Sequence, residues 1–490
     1  MSQHAMRVLP RKPMAAAVAL MFALATPAAS GSTWTVDNTC GDDISAGDEG
    51  SQTGTLRFCV SKAVDGDTID LSQTTCSQIS LTTGAISIDQ QALTLHGAGK
   101  NQTIVSGKEG LSTELDRVFY ATSAGGNITF DHMTVMFGLL NKSAGPANGG
   151  CIYGKGSITL DNVGVYNCSA TTTATSNSQA FGGGIFAQQL TIKNGSGIAN
   201  NSAFATQPGI VAQGGGAAAA GDFHLYDSTV VLNTAAAPAG NNPAFGGGLA
   251  LQGNTVIARA LIAHNHASRD GGGIDLFASS ATPTAIITNS TISMNGADNR
   301  TGGILTNFSS TTIANSTIAF NTAVNYYSTL PRHYYSPGVS ANYRPSVGPA
   351  TLTLQSTIIA NNTIFGGYGN DLSAGVVPGK VVIQGSNNLV RKFGSDVTLP
   401  ASQGNISGVC PLLGPLRDNG GGSYTHALHS GSPGVAVGNN TTADPLTQIT
   451  ALYDQRGPGY ARAVDGNVDM GAYQRQHDNI FDAAFDRDCP

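Results

Sequence analysis

Phe245-Gly246-Gly247-Gly248-Leu249 is followed, sixteen residues after Leu249, by the Asn of Ile262-Ala263-His264-Asn265-His266-Ala267. The same unit recurs along the chain. Its glycine triplet returns as Gly149-Gly150-Cys151, Gly182-Gly183-Gly184, Gly214-Gly215-Gly216 and Gly271-Gly272-Gly273, then shortened as Gly302-Gly303. The Asn position reads Cys168, Asn201, Asn233, Asn265, Asn295, Asn321 and Asn361. Three residues earlier stands Val165, Ile198, Val230, Ile262, Ile292, Ile318 or Ile358, and two later an Ala, replaced at the last unit by Thr363. The half from triplet to Asn keeps its length in the first four units, whereas the return to the next triplet varies freely. A constant half joined to a free loop is the pattern of a solenoid. Gly suits its tight corners, a recurring Asn can stack and hydrogen-bond along the axis, and the Ile/Val column supplies an apolar core.

The 490 residues include 63 Gly and only three Glu, a composition that disfavours helix interiors. The expected fold class is all-β: a single right-handed parallel β-helix of roughly ten coils, about 50 Å long at about 4.8 Å per coil, with N- and C-terminal caps. Arg7, Arg11 and Lys12 precede an apolar run over 14–24 and then small residues up to Ser30. That order predicts a secretory signal peptide over 1–30. No later run is long enough to span a bilayer, so no transmembrane segment is expected in the mature chain. Removing the leader takes three of the 24 basic residues and none of the 30 acidic ones, leaving a net charge of −9. Nucleic acid is therefore not an expected partner. Seven cysteines in an exported chain predict disulfides, with one thiol left over and the pairing open.

The boundaries that follow are 31–90 for an N-terminal cap, 91–400 for the β-helix, 401–475 for a β-rich C-terminal cap and 476–490 for a tail. Within the first cap, Leu56, Cys59, Val60 and Ala63 are spaced as one face of a short helix over 56–63. Gly54-Thr55-Leu56-Arg57-Phe58-Cys59-Val60, with Gly66-Asp67-Thr68-Ile69 after it, resembles the "CSLREA" segment that opens many exported bacterial right-handed β-helix repeat proteins. Gly54 and Cys59 depart from that motif. Pro411-Leu412-Leu413-Gly414-Pro415, Asp454-Gln455-Arg456-Gly457 and Asp469-Met470-Gly471-Ala472-Tyr473 resemble the choice-of-anchor type segment that closes such proteins. The resemblance implies a secreted or cell-surface protein whose C-terminal segment caps the solenoid.

Three groups of residues carry candidate chemistry. The insert over 325–349 concentrates Tyr326, Tyr327, His333, Tyr334, Tyr335, Tyr343 and Arg344. Exposed tyrosines on a solenoid flank suit a glycan or a protein surface. His264, His266, Arg269 and Asp270, with Asp275 beyond the triplet, offer imidazoles, a guanidinium and carboxylates for acid–base work. Asp465, Asn467 and Asp469 have the opening spacing of a calcium loop but lack its Gly and terminal Glu; otherwise no cofactor is expected. Asp227 and Arg259, one unit apart, form a surface ion pair in this reading. No column of aligned carboxylates emerges from the repeats. The primary expectation is accordingly a non-catalytic, adhesin-like rod that binds a polysaccharide or a host or cell-surface protein. The alternative is a polysaccharide lyase or glycoside hydrolase of the pectin-lyase-like fold.

Overall fold

A computed structural model describes residues 31–476 except 41–45, 108–115, 239–242, 279–281, 325–335, 366, 376–378, 396, 442–444 and 446–450. The expected leader, the tail beyond 476, and Tyr326, Tyr327, His333, Tyr334 and Tyr335 lie outside the described residues.

The chain is a parallel β-solenoid of about ten turns with 2% helix. One coil shows how. After its glycine triplet the chain runs through Leu249–Leu251, Thr255–Ala258, Leu261–Ala263 and His266–Ala267, with a corner after each strand. Each strand pairs in parallel with its counterparts one coil away, so the coils stack into long ladders. The first two strands of every regular coil join one 22-stranded sheet; the third and fourth build sheets of twelve and nine strands. Four early coils add a further strand in their long returns, giving a fourth sheet that ends at Ala244–Phe245.

Register confirms the apolar columns. Val165, Ile198, Val230, Ile262, Ile292 and Ile318 are successive partners in the second sheet, all fully buried. The last step differs from the sequence reading by one residue. Ile318 pairs with Ile359 rather than Ile358, and Ala323 with Ile364 rather than Thr363. Asn361 therefore occupies the corner, at φ 60°, and Asn362 takes the ladder position. The insert before this coil hides the slip in a count of residues.

Along that ladder, Asn201, Asn233, Asn265, Asn295, Asn321 and Asn362 are buried. Each side-chain Nδ2 donates to the Oδ1 of the next at 2.9–3.0 Å. The main-chain N–H donates to the same oxygen, at 2.9–3.0 Å. Nδ2 also reaches back to the carbonyl oxygen of the Ile/Val column one coil before. A buried amide thus finds its partners only if all coils hold one register. Asp371 ends the ladder, its Oδ1 accepting from Asn362 N at 3.0 Å and Nδ2 at 2.8 Å. Burial pushes its carboxyl up to about 7, against the pull of those amides.

The corner before each ladder Asn is left-handed whatever its side chain: Leu232, His264, Met294 and Phe320 have φ of 56–59°. Bulky residues avoid that region unless their surroundings impose it, and here the ladder does. The third glycine of each triplet fits against the same Asn; a Cβ at Gly216 would lie 3.0 Å from Asn233 Cγ. In the first regular coil both positions change together. Cys151 replaces the glycine, Cys168 replaces the Asn, and the two form a disulfide. Cys168 N still donates to Asn201 Oδ1 at 2.9 Å.

At the N-terminal end, Thr33–Val36 pairs with Asp67–Asp70 and starts the first sheet. The short helix is present as Leu56–Lys62, capped by Thr55, with Leu56, Phe58, Cys59 and Val60 buried. Cys40 bonds to Cys76, and Cys59 is the free thiol among the described residues, pushed up to about 11 by burial. Cys410 is also disulfide-bonded. In the C-terminal segment, Ile406–Ser407 adds a last strand to the second sheet. The remainder turns back along that sheet's outer face. Thr291 Oγ1 donates to Gln455 Oε1 at 2.6 Å, Ala472 N to Thr317 Oγ1 at 3.0 Å, and His426 Nε2 lies 2.8 Å from Ser293 Oγ. Leu413, Leu428 and Met470 pack on Ile358 and Leu389. Arg456, paired with buried Asp454 at 2.7 Å, is stacked between Tyr460 and Tyr473, each 4.0 Å from its ring centroid. Among the described residues no helix is long and apolar enough to cross a membrane.

Asn233→Ala removes an acceptor shared by two donors and opens the ladder in mid-solenoid. It is expected to lower stability by about 3 kcal/mol, whereas the exposed Asn141→Ala changes it by less than about 0.5 kcal/mol. Chemical denaturation of both variants checks this.

Candidate functional site

The strand that follows each glycine triplet buries its first and third residues in the core, so its second faces outward. Register lines these second residues up as Tyr120, Tyr153, Phe186, Ala218, Ala250, Asp275, Leu305 and Ser340. The column begins aromatic. Tyr153 and Phe186 are stacked at 5.5 Å, and Tyr120 is tilted on Tyr153 at 5.2 Å. The Arg117 guanidinium sits over both tyrosine rings, 4.8 and 5.2 Å from their centroids. Two buried alanines, Ala218 and Ala250, separate the aromatic stretch from Asp275.

Asp275 stands at a step in the solenoid. Up to Phe245 the returns are long and carry the fourth sheet; beyond it, among the described residues, only the single bridge from Phe245 to Asp270 continues that sheet. The return from Asn265 to Ile274 is nine residues. A cleft of about 430 Å³ opens at this step. Phe181, Gln213 and Phe245 line one wall, and Asp275, Arg300 and Arg344 reach it from the later coils.

Its electrostatics follow from burial. Asp275 is fully enclosed, and burial, reinforced by the negative charge of Asp270, pushes its carboxyl up to about 8, while Arg344 and a hydrogen bond from Gln213 pull the other way. Its Oδ1 has no hydrogen-bond partner among the described residues. Asp270 is equally buried but well paired: it accepts from Arg300 N at 2.6 Å and Arg300 Nη2 at 3.2 Å, with Arg269 Nε at 3.9 Å. Arg269 also lies over the Phe245 ring, 5.4 Å from its centroid. Three guanidinium groups, those of Arg269, Arg300 and Arg344, thus gather around two carboxyl groups, one of which burial favours in its neutral form. The group is net positive in a chain of net charge −6.

The residues singled out from sequence are thus divided. Arg269 and Asp270 belong to this group, and so does Arg344 of the insert. Tyr343 lies under Lys380, whose Nζ is 5.9 Å from its ring centroid. His264 and His266 do not join them. His264 is exposed on the left-handed corner. His266 is in the third sheet, its Nε2 3.0 Å from Asp298 Oδ1. The coil geometry explains the split: a corner separates the third-sheet strand from the return that carries Asp270. Asp465 and Asn467 are exposed on a turn, while Asp469 is buried and spends its two oxygens on Ala436 N and Arg475 N, each at 2.8 Å. Asp227 and Arg259 do form the expected ion pair, at 2.6 and 2.9 Å. Gln213, Phe181 and Phe245 were missed. Their signal was their place just before a glycine triplet, where Phe181, Gln213 and Phe245 are equivalent positions.

The raised carboxyl of Asp275 has a stability consequence with a definite sign. Its folded pKa of about 8 exceeds the ordinary 3.8, so its contribution is fully present below about 4 and is lost as pH rises through about 8. Asp275→Asn is therefore expected to gain stability relative to the parent progressively between pH 4 and 8, by several kcal/mol, with the difference level above that range. Denaturation curves of both proteins across this range measure it.

No family model matches the sequence, and no curated protein matches it. Among solved structures, the pectate lyase Pel9A is similar to this chain at 14% identity and a TM-score of 0.40, over 91% of this chain and 97% of that one.

Proposed function

We propose that the protein is an exported solenoid that binds an acidic polysaccharide in the cleft around Asp275 and along the aromatic column leading to it. The observation that carries this reading is the positive group of Arg269, Arg300 and Arg344 in an otherwise acidic chain, set beside Phe181 and Phe245. Guanidinium groups pair with carboxylates in bidentate fashion, and aromatic faces take the apolar faces of sugar rings. The net negative charge of the chain as a whole disfavours the same polymer elsewhere. The role is that of a binding rod at the cell surface or outside the cell. Arg7, Arg11, Lys12 and the apolar run over 14–24 serve as its leader, with 31–90 and 401–475 as the CSLREA-like and choice-of-anchor-like ends. Two described disulfides and a third bonded cysteine, Cys410, support an oxidising destination.

A second reading, a polysaccharide lyase or hydrolase, draws on one observation. A carboxyl held protonated near neutrality in a cleft is a competent proton donor or acceptor. Asp275 would be that group, with the negative charge of Asp270 adding to burial in favouring its neutral form.

Purified protein is expected to retain polygalacturonate but not a neutral glucan, with retention falling as salt rises and the affinity dropping about tenfold in Arg344→Ala, as loss of one charge-assisted contact implies. New reducing ends and unsaturated products are assayed in the same incubation. Their absence supports the rod. Products that disappear in Asp275→Asn establish the enzyme, and equal retention of neutral and acidic polymers contradicts both.

A further inference from the structure

Far from the cleft, two neighbouring coils bring three metal-ligating side chains to one corner of the first sheet. His96 ends the strand Ala92–His96, and Asp131, ending Asn127–Asp131, is its register partner in the next coil. His132 follows on the corner, at φ 51°. His96 Nδ1 lies 2.6 Å from Asp131 Oδ2, and His132 Nδ1 contacts Asp131 Oδ1. One ligand atom from each residue falls within 4.8 Å of the other two. The imidazole rings meet edge to face, 5.9 Å apart.

We propose that His96, Asp131 and His132 bind one divalent transition ion of the zinc, nickel or copper class. The donor set favours that class over calcium or magnesium, which take oxygen ligands in larger number. Two imidazole nitrogens and a carboxylate leave coordination positions for water or an outside ligand, as in exchangeable three-ligand sites. The side chains are 42%, 21% and 44% exposed, in chain order, so an ion has a path in. The backbone holds the donors together. Gly97 N donates to Asp131 O at 2.8 Å, and a Cβ at Gly97 would lie 2.4 Å from His132 O, so the coils approach closely just where the ligands meet. Each ring directs its Nδ1 at Asp131, so an ion held there takes the Nδ1 lone pairs while the single N–H of each neutral imidazole sits on Nε2. Two further carboxylates flank the three residues. Asp161 and Asp70 are the register partners of Asp131 and His96 on the two outer sides. Asp161 is engaged with Lys193 at 3.1 Å and Asn194 at 2.7 Å, and Asp70 Oδ1 accepts from Ser72 N at 2.8 Å. The site lies five coils before that of Asp275, roughly 24 Å along the axis. It is independent of the cleft.

Isothermal titration of the untagged protein with Zn²⁺ tests this. One Zn²⁺ per chain is expected, with affinity at least about tenfold lower in His96→Gln and in His132→Asn. Asn is chosen because other coils use it at this corner, for example at Asn162 and Asn289, so the fold is kept. His266→Gln, which alters the other His–Asp pair, is expected to leave the affinity unchanged. Visible absorption of the Co²⁺-loaded protein gives a readout of nitrogen ligation separate from affinity. No binding overturns the proposal, as does Zn²⁺ affinity unchanged in His132→Asn, loss only in His266→Gln, or tighter binding of Ca²⁺ than of Zn²⁺.

Discussion

The buried asparagine ladder sets the terms for the rest of the molecule. An amide without partners in a dry core costs a few kcal/mol. Each of these amides is bonded to the coil before it and the coil after it, Asn233 and Asn362 adding a carbonyl of their own coil. Register between coils is therefore strongly specified, and with it the side of the sheet each side chain faces. The ladder also explains what happens at its ends. At Cys168 the amide is exchanged for a disulfide to the position where a glycine otherwise sits, and at Asp371 a carboxylate accepts what no further Asn can. Both ends keep the main-chain donor of the neighbouring coil paired.

Because the ladder holds one half of each coil constant, variation is pushed into the returns, and the candidate site is built from that variation. Long returns make the fourth sheet; the short one that follows Phe245 leaves a step, and the step opens a cleft beside the buried carboxyl of Asp275. The same rigidity lets a carboxyl be held in an unfavourable place. Asp275 sits in a strand whose neighbours Ile274 and Leu276 are locked into the core. The segment over 401–475 completes the picture on the opposite flank, where it shields the outer face of the second sheet with buried polar contacts such as His426 to Ser293.

The repeated columns were legible in the sequence because a buried corner tolerates few residues. Asn, Ile/Val and Ala recur where only an amide, a branched apolar side chain or a small one fits, and the helix over 56–63 followed from its apolar spacing. Where the constraint came from outside the repeat, sequence alone failed. The one-residue slip between Asn361 and Asn362 needed the ladder itself to reveal it. His264 and His266 looked like partners of Asp270 because they are near it in sequence, yet a corner sends them to other faces. Asp275 was visible as a residue but not as a site, since its character depends on which wall overlies it. The pairing of Cys151 with Cys168 became clear only once the glycine and the Asn they replace were seen in contact. His96 and Asp131 are joined by a coil of irregular length, so no period connects them.

Hydrogen–deuterium exchange with and without an oligogalacturonate tests the central claim most directly. The account expects added protection in Val211–Gln213, Ala244–Phe245 and Ile274–Leu276, which frame the step. The strands of the second sheet on the far flank should be unchanged. Protection confined to that flank, or no change while the sugar is bound, would contradict it.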